Sequence, residues 1–283
     1  MMPSCHPGAE GLTTKTKEFS VFRVTEHGKN EVDSIVVSEF PLTVILDNQE
    51  LVTLLCSPTN LEYLAIGFLF TAGFINGKEE IKKITVDEQR GVVRIARNKG
   101  TEFANELLFK RLITSACGRG AAFYSAADTR HLTKVESQAR ISANEIFSLV
   151  DEFNQHSMLF KETGGVHGAA LTDTKSILVF SDDLGRYNAI DKVFGECILE
   201  GIPTEGRVII TSGRTPSEMI LKVAKGNVPI LISVGATTDL GIRLANDLGV
   251  TLIGFVRGKE MTVYTNDWRV AGDLEYGCYL RKN

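Results

Sequence analysis

The residue with the clearest capacity for covalent chemistry is Cys117, which lies in residues 113–123, ITSACGRGAAF. Gly118 and Gly120 place no bulky side chain over the sulfur and can adopt backbone angles closed to other residues. The cation of Arg119 would favour the thiolate, which is the form that attacks sulfur and carbon electrophiles. The alternative is that Cys117 is a small, inert residue packed in a turn, because most free cysteines are buried. The sequence alone favours neither interpretation over the other.

Two strand-to-helix turns carry hydroxyl and N–H groups of the kind that bind small anions. Residues 211–218, TSGRTPSE, and residues 233–239, SVGATTD, each follow a predicted strand and precede a predicted helix. Helix N-termini and a cation such as Arg214 bind phosphate or carboxylate, although such turns need Ser, Thr and Gly for structural reasons too. A basic segment at 257–259, after the next strand, adds to the preference for an anionic ligand. The candidate ligand-binding residues in the turns are Thr211, Ser212, Gly213, Arg214, Ser217 and Gly235.

The sequence does not contain the two common nucleotide-binding loops. No G-x-G-x-x-G spacing follows a predicted strand, and there is no Walker sequence. A dinucleotide-binding fold of the G-x-G-x-x-G kind is therefore not supported.

Two further polar stretches, residues 163–169 and 181–192, flank a predicted β-hairpin. The hairpin would gather seven polar side chains: His167, Asp182, Asp183, Arg186, Asn188, Asp191 and Lys192. His167 could act as an acid or base, or ligate a metal together with the carboxylates. Alternatively, the histidine is structural and the carboxylates hold Arg186 and Lys192 in ion pairs. The spacing matches no established metal-ligand template.

Hydrophobic periodicity predicts a β-rich first half with one core-facing helix. Apolar and β-branched runs predict strands over residues 19–24, 34–46, 51–56, 81–86 and 91–96. A turn at residues 27–30 separates the first two. Thr59 followed by Glu62 forms a predicted capping box, and the helix that it opens ends at Gly73.

The second half alternates strands with helices, which predicts βαβ units and a largely parallel, mixed sheet. A helix capped by Ser142 and Glu145 reaches about residue 156. The further strands are predicted at 165–171, 176–180, 208–211, 229–234, 251–256 and 261–265, and the further helices at 188–199, 217–225 and 239–248. At the helix from Ser217, Thr215 is the predicted N-cap and Glu218 closes a capping box.

The composition is that of an ordinary globular protein. Of 283 residues, 43% are hydrophobic and 23% are charged, and the net charge of −4 gives no reason to expect a nucleic-acid or membrane partner. Five scattered cysteines without a CxxC pair predict reduced thiols and a cytoplasmic location. Residues 1–15 contain no apolar segment of a signal peptide and predict a loose lead-in. The most apolar run, residues 61–75, is too short to span a bilayer.

Several motifs in one order resemble the formate dehydrogenase accessory sulfurtransferase family, FdhD/NarQ, from about residue 39 to residue 265. The matching segments are EFPL at 39–42, SP at 57–58, GFL at 67–69, TSACG at 114–118, TGGVH at 163–167, DLGRYNAIDK at 183–192, TSGR at 211–214, SE at 217–218 and GFVRG at 254–258. Their shared order is much more specific than any single motif.

The pattern of strands and helices predicts an α/β fold class, with a β-rich N-terminal domain at 16–130 that ends in the Cys117 loop. The resemblance implies that the second domain, at 131–283, has a cytidine-deaminase-like mixed-sheet α/β fold. It also implies that Cys117 carries persulfide sulfur from a cysteine desulfurase to the molybdenum bis-guanine-dinucleotide cofactor (Mo-bis-MGD), before that cofactor enters formate dehydrogenase. GDP would be a partial mimic of this cofactor, and the family suggests a homodimer. The family's cofactor-binding segment corresponds to Phe255, Val256, Arg257, Gly258, Lys259 and Glu260.

Two positions depart from the family pattern. The second loop cysteine of the family is Gly120 here, so a relay between two loop thiols is impossible and a single persulfide on Cys117 remains. The family's usual histidine before Asn188 is Tyr187. The missing cysteine motivates an alternative, a non-catalytic chaperone that binds the molybdenum cofactor for formate dehydrogenase. A zinc deaminase, suggested only by the implied fold, would need H-x-E and P-C-x-x-C ligands that the sequence does not contain.

Overall fold

The computed structural model of the protein describes residues 14–98 and 133–271. It has the predicted mixed α/β fold, with a β-rich first part and a larger part built on a mixed six-stranded sheet. The predicted Cys117 loop lies outside the described residues, as does nearly all of the predicted lead-in. None of the helices within the described ranges is both long and apolar enough to cross a membrane.

The first part contains a separate hairpin and a four-stranded sheet. The hairpin consists of β1 (Thr16–Thr25) and β2 (Gly28–Val37). The sheet consists of β3 (Phe40–Leu46), β4 (Gln49–Cys56), β5 (Ile81–Asp87) and β6 (Val92–Arg97), in the order β4-β3-β6-β5. The single strand predicted over residues 34–46 is wrong. The chain leaves the hairpin after Val37, where the N–H of Ser38 bonds to the carbonyl of Lys15, and enters the other sheet at Phe40.

Helix α1 (Leu61–Thr71) packs its apolar residues against the four-stranded sheet. The capping box predicted at its start is wrong. Asn60 occupies the N-cap position in a left-handed conformation (φ 53°) and makes no side-chain capping bond. Thr59 is engaged elsewhere, since its Oγ1 accepts a hydrogen bond of 3.1 Å from Nζ of Lys192. A tertiary contact has replaced the local capping interaction.

The second part is organised on a mixed sheet, as predicted. Its strands are β8 (His167–Thr172), β9 (Ile177–Asp183), β10 (Val208–Thr211), β11 (Ile230–Ser233), β12 (Thr251–Arg257) and β13 (Glu260–Val263), in the order β13-β12-β11-β10-β8-β9. Strands β10, β11 and β12 are parallel, whereas β8 and β13 run antiparallel to their neighbours. A short parallel pair joins β7 (Ile141–Ser142) to β14 (Val270–Ala271).

The α-helices found in residues 133–271 are α2 (Ala143–His156), α3 (Met158–Thr163), α4 (Arg186–Glu200), α5 (Ser217–Lys225) and α6 (Asp239–Asp247). The capping box of α2 is confirmed. Ser142 Oγ accepts from the N–H of Glu145 at 3.2 Å, and the Glu145 carboxylate accepts from the N–H of Ser142 at 2.7 Å. Helix α4 begins two residues earlier than predicted, directly after Gly185.

Both faces of the six-stranded sheet are covered by apolar packing. Ile209 and Leu231 point into a core shared with α4, α5 and α6, whereas Ile210 and Ile232 point into a second core shared with α2. Successive residues of a strand face opposite sides, so a strand buried on both sides reads as a continuous apolar run. This burial explains the uninterrupted apolar sequences of β10 and β11.

The two parts of the protein meet where helix α1 packs against helix α4 so closely that their backbones are in contact. A Cβ atom added to Gly67 would lie 1.7 Å from the carbonyl oxygen of Asp191, and one added to Gly195 would lie 1.9 Å from that of Tyr63. Any residue larger than glycine would therefore force the helices apart. Phe70 contacts the cores of both parts. The first part thus supports α4, whose N-terminus faces the candidate site.

Candidate functional site

Strands β10, β11 and β12 end at one edge of the six-stranded sheet, here called the carboxyl edge. Strand β8 begins and β9 ends at the same edge, because β8 is antiparallel to β10 and β9 is antiparallel to β8. Helices α4, α5 and α6 start after β9, β10 and β11, so three helix N-termini lie at this edge. In open α/β sheets, ligands bind at this position, where the helix dipoles favour anions.

The two strand-to-helix turns are held in place by their own hydroxyl groups. Ser233 Oγ donates to the carbonyl of Gly213 at 2.8 Å, and Thr237 Oγ1 donates to the carbonyl of Thr215 at 2.9 Å. Thr211 Oγ1 accepts from the N–H of Gly213 at 3.2 Å. The predicted structural role therefore accounts for these three hydroxyls. A ligand would have to use other groups of the turns.

The remaining predicted residues of the turns have different exposures. Ser212, Ser217 and Gly235 are half-buried, and Arg214 is exposed. Thr215 is fully buried, and its Oγ1 has no hydrogen-bond partner among the described residues. The capping box predicted at α5 is therefore wrong. Pro216 occupies the N-cap position and has no side-chain group that could accept a capping bond.

Glu218 is engaged across the gap between α5 and α4 instead of capping α5. Its carboxylate hydrogen-bonds Tyr187, and burial raises the pKa of this carboxyl group above its usual value. Burial, followed by the negative charge of Glu218, raises the pKa of Tyr187 to about 12. Tyr187 is therefore a neutral hydrogen-bonding group at physiological pH.

His167 begins β8 and faces the first turn. Its Nδ1 lies 3.4 Å from Oγ of Ser212, and the same Oγ accepts a hydrogen bond of 3.0 Å from the N–H of Gly168. A hydroxyl oxygen can accept one hydrogen bond and donate another, so Ser212 can donate to Nδ1 of a neutral ring whose proton lies on Nε2. Burial, and next the positive charge of Arg186, lower the pKa of His167 below 6.5. With the proton on Nε2, the neutral ring offers Nε2–H as a donor to a ligand.

Arg186 is the first residue of α4, and its aliphatic stem lies across Gly213. A Cβ atom on Gly213 would lie 2.9 Å from Cβ of Arg186 and 3.3 Å from its Cδ, so the glycine leaves room for the stem. Nε of Arg186 is buried without a hydrogen-bond partner among the described residues. Within the same residues its guanidinium forms no salt bridge. The predicted pairing of Arg186 with a carboxylate is therefore wrong for this part of the chain.

Asp183 and Lys192 form the other predicted ion pair, and this one is confirmed. Nζ of Lys192 lies 2.7 Å from Oδ2 of Asp183, and both side chains are completely buried. Asp183 also accepts hydrogen bonds from the N–H groups of Ser57 (3.0 Å) and Gly185 (2.8 Å) and from Nδ2 of Asn188 (2.9 Å). The pair fixes the loop before α4 to the first part of the protein and is too enclosed to meet a ligand.

The side chains of Asp191 and Asp182 are engaged by partners on other elements. Asp191 faces α5, where Nζ of Lys222 lies 2.9 Å from both of its carboxylate oxygens. Asp182 accepts a hydrogen bond of 2.7 Å from Oγ of Ser157 at the start of α3. Of the seven side chains expected together, His167 and Arg186 are the two with free donors at the edge.

The segment after β12 contains a strained and exposed aromatic residue. Phe255 has φ 53° at a bulge between β12 and β13, its side chain is 42% exposed, and its N–H bonds to the carbonyl of Gly235 at 3.1 Å. Left-handed conformations of bulky residues cost free energy and concentrate at functional sites. Val256 is buried in the core, so it can offer a ligand only its backbone. Residues 257–260 form the exposed turn into β13.

Two of the five cysteines lie in the described residues, and neither has the properties of a nucleophile. Cys56 and Cys197 are both buried. Burial, the leading cause in each case, raises the pKa of Cys56 and the pKa of Cys197 to about 12. Both thiols are therefore protonated at neutral pH and closed to large electrophiles. The reactivity predicted for Cys117 stays a prediction, since that residue lies outside the described ranges.

The carboxyl edge carries groups of the kind that bind anions. In residues 14–98 and 133–271, no group of three or more His, Cys, Asp and Glu side chains could hold a metal ion. The groups at this edge include helix N-termini, the imidazole of His167 and the guanidinium groups of Arg186 and Arg214. Such groups bind phosphates.

The pairing between Tyr187 and Glu218 was missed in the sequence, although a signal for it exists. Tyr187 and Asp191 are four residues apart on α4, and Glu218 and Lys222 are four residues apart on α5. Residues at this spacing share one helix face. Two such polar pairs on neighbouring helices indicate facing partners, here Tyr187 with Glu218 and Asp191 with Lys222.

Comparison with known proteins gives one consistent result. The model of the FdhD/NarQ family matches residues 37–271. Sulfur carrier protein FdhD of Bacillus subtilis (strain 168) is 42% identical over 250 residues, which cover 88% of this chain and 95% of that protein. Sulfur carrier protein FdhD of Bacillus pumilus (strain SAFR-032) is 42% identical over 235 residues, 83% of this chain and 90% of that protein.

A solved structure supports the same relationship at the level of the fold. The crystal structure of a protein from Desulfotalea psychrophila, described as a formate dehydrogenase accessory protein, superposes with a TM-score of 0.76 at 26% sequence identity. The alignment covers 91% of this chain and all of that one. The similarity therefore extends across both parts of the fold.

Proposed function

Because the chain belongs to the FdhD/NarQ family, we propose that it is a sulfur carrier that serves a formate dehydrogenase. In this proposal Cys117 accepts sulfane sulfur from a cysteine desulfurase and holds it as a persulfide. The sulfur is then delivered to Mo-bis-MGD, which is the substrate of the carrier. The names of the two Bacillus relatives support the sulfur-carrying role. The description of the Desulfotalea protein supports a formate dehydrogenase as the acceptor.

The observation that carries the choice of cysteine is the exclusion of two of the five. Cys56 and Cys197 are buried thiols with a pKa of about 12, so neither supplies a thiolate at neutral pH. Of the remaining three, Cys117 has small residues on both sides and an arginine, Arg119, two positions further on. A nearby cation stabilises the thiolate and, after transfer, the persulfide anion. Cys117 is therefore the proposed sulfur-carrying residue.

The groups at the carboxyl edge support the choice of a phosphorylated substrate. The two guanine nucleotides of Mo-bis-MGD contribute phosphates, which need cations and N–H donors. The edge offers three helix N-termini and an Arg186 guanidinium whose Nε has no partner among the described residues. Phe255 adds an exposed aromatic face on which a guanine could stack. When bound, the substrate supplies the molybdenum that receives the sulfur, and the chain supplies binding and orientation.

Mass spectrometry tests the proposal after incubation of the protein with a cysteine desulfurase and cysteine. We expect the mass of one added sulfur atom on the peptide that contains Cys117. Cys117→Ala should abolish this label, whereas the control variants Cys5→Ala and Cys278→Ala should retain it. Labelling of another cysteine while Cys117 stays unmodified would overturn the assignment.

A second candidate function is a chaperone that binds Mo-bis-MGD without carrying sulfur. The observation that favours it is Gly120, which stands where the family has a second loop cysteine. The two functions differ in the requirement for a thiol. If Cys117→Ala fully restores formate dehydrogenase activity in cells that lack the accessory protein, the chaperone function is correct. Loss of that activity supports the sulfur carrier.

A further inference from the structure

His167 and Arg186 are brought together at the carboxyl edge from separate elements. His167 begins β8, Arg186 begins α4, and the stem of Arg186 lies across Gly213 in the first turn. Ser212, also in this turn, contacts Nδ1 of His167 at 3.4 Å. The three segments therefore place a ring N–H donor and a guanidinium beside the N-terminus of one 15-residue helix.

The charges around this pair are not balanced within the described residues. Asp183 lies close enough to act on His167, but it already contacts Nζ of Lys192 at 2.7 Å. The other carboxylate of this region, Glu218, is occupied by Tyr187. Nε of Arg186 is buried without a hydrogen-bond partner in the described part of the chain. A buried donor of this kind is costly unless a ligand or water satisfies it.

We infer that His167 and Arg186 together bind one phosphate group of a guanine nucleotide, with Nε2–H of His167 and the guanidinium of Arg186 as donors to its oxygens. In this arrangement Ser212, whose Oγ lies 3.4 Å from Nδ1, donates to that nitrogen and so leaves the proton of the ring on Nε2. A planar guanidinium and a second donor at an angle suit the tetrahedral phosphate group. This inference deepens the proposed function, on which it rests, by assigning a phosphate subsite to two residues.

The test measures the contribution of the phosphate groups to binding separately from that of the guanosine. Isothermal titration calorimetry would measure the binding of GDP, GMP, guanosine and inorganic pyrophosphate to the full-length protein. Arg186→Gln should weaken GDP binding about 10- to 100-fold, the usual effect of losing a charge-assisted hydrogen bond, and leave guanosine binding unchanged. Arg186→Lys should recover part of the affinity because it keeps the charge.

His167 is tested with two variants that differ only in the donor. His167→Gln retains an N–H group near the position of Nε2, whereas His167→Ala removes it. We therefore expect the alanine variant to lose more GDP affinity than the glutamine variant, again without an effect on guanosine. The matched control is Arg90→Gln, which removes one positive charge from a turn in the first part of the protein, where the arginine side chain is 84% exposed.

The possible outcomes are distinguishable. Equal losses of GDP and guanosine affinity in Arg186→Gln would show a structural role and overturn the inference, as would unchanged GDP binding. If the wild-type protein binds no GDP but still forms a persulfide on Cys117, the phosphate subsite is refuted and the sulfur carrier stands. If GDP binds as expected but Cys117 accepts no sulfur, the subsite stands and the sulfur-carrying assignment fails.

Discussion

Replacing Lys192 by methionine should destabilise the protein by about 3–5 kcal/mol, the usual cost of removing one member of a buried ion pair. Both Lys192 and Asp183 are completely buried, with 2.7 Å between Nζ and Oδ2. Without the ammonium group, the carboxylate retains hydrogen bonds only from neutral donors on Ser57, Gly185 and Asn188. These donors stabilise the remaining charge in part, which places the expected cost near the lower end of the range.

Urea denaturation followed by circular dichroism measures this cost. Lys192 also contacts the Ser57 carbonyl at 3.3 Å, so the loss should loosen the attachment of α4 to the first part of the protein. The double variant Asp183→Asn with Lys192→Met buries no charge. Its destabilisation should therefore be smaller than the sum of the two single effects, by about 2 kcal/mol or more.

Arg90→Met is the matched control, because it makes the same replacement of a cation in the exposed pair with Asp87. Its effect should stay within about 0.5 kcal/mol. The reasoning is refuted if Lys192→Met costs less than about 1 kcal/mol, or if the two single effects simply add.

Two further predictions concern the carboxyl edge. Phe255→Gly should weaken GDP binding roughly tenfold through the loss of stacking, while it keeps the left-handed conformation that the chain adopts at this position. Calorimetry measures the effect, and unchanged GDP affinity would contradict the stacking role. The depressed pKa of His167 should make stability fall as the pH drops below 6.5, by at most about 1.4 kcal/mol per pH unit, because the unfolded chain takes up a proton that the folded chain resists. His167→Gln should lose this part of the pH dependence, and an unchanged profile would show that another group is responsible.

The predictions from sequence succeeded where a structure is determined locally. The capping box of Ser142 and Glu145 is confirmed because both of its hydrogen bonds are made within four consecutive residues. The alternation of strands and helices was also predictable, since buried strands and amphipathic helices have distinct apolar patterns. These features place three helix N-termini at one edge and so locate the candidate site approximately.

The failures arose where a distant partner competed with the local interaction. Thr59 has the residue type and spacing of a cap, but it accepts a hydrogen bond from Lys192, which is 133 positions away. Glu218 has the spacing of a capping box, but it faces Tyr187 on another helix. The close contact of α1 with α4 at Gly67 is likewise invisible in the sequence. The residues that position the site were therefore harder to predict than its location.

Tyr187 limits what this corner of the site can do. A tyrosine whose pKa is raised to about 12 does not exchange protons with a ligand near neutral pH. It can still donate a hydrogen bond, and Glu218 accepts it. The carboxylate is thereby directed to Tyr187 and away from Arg186, which remains without an ion pair in the described part of the chain. Tyr187 thus contributes indirectly, by keeping a negative charge engaged beside a site that binds anions.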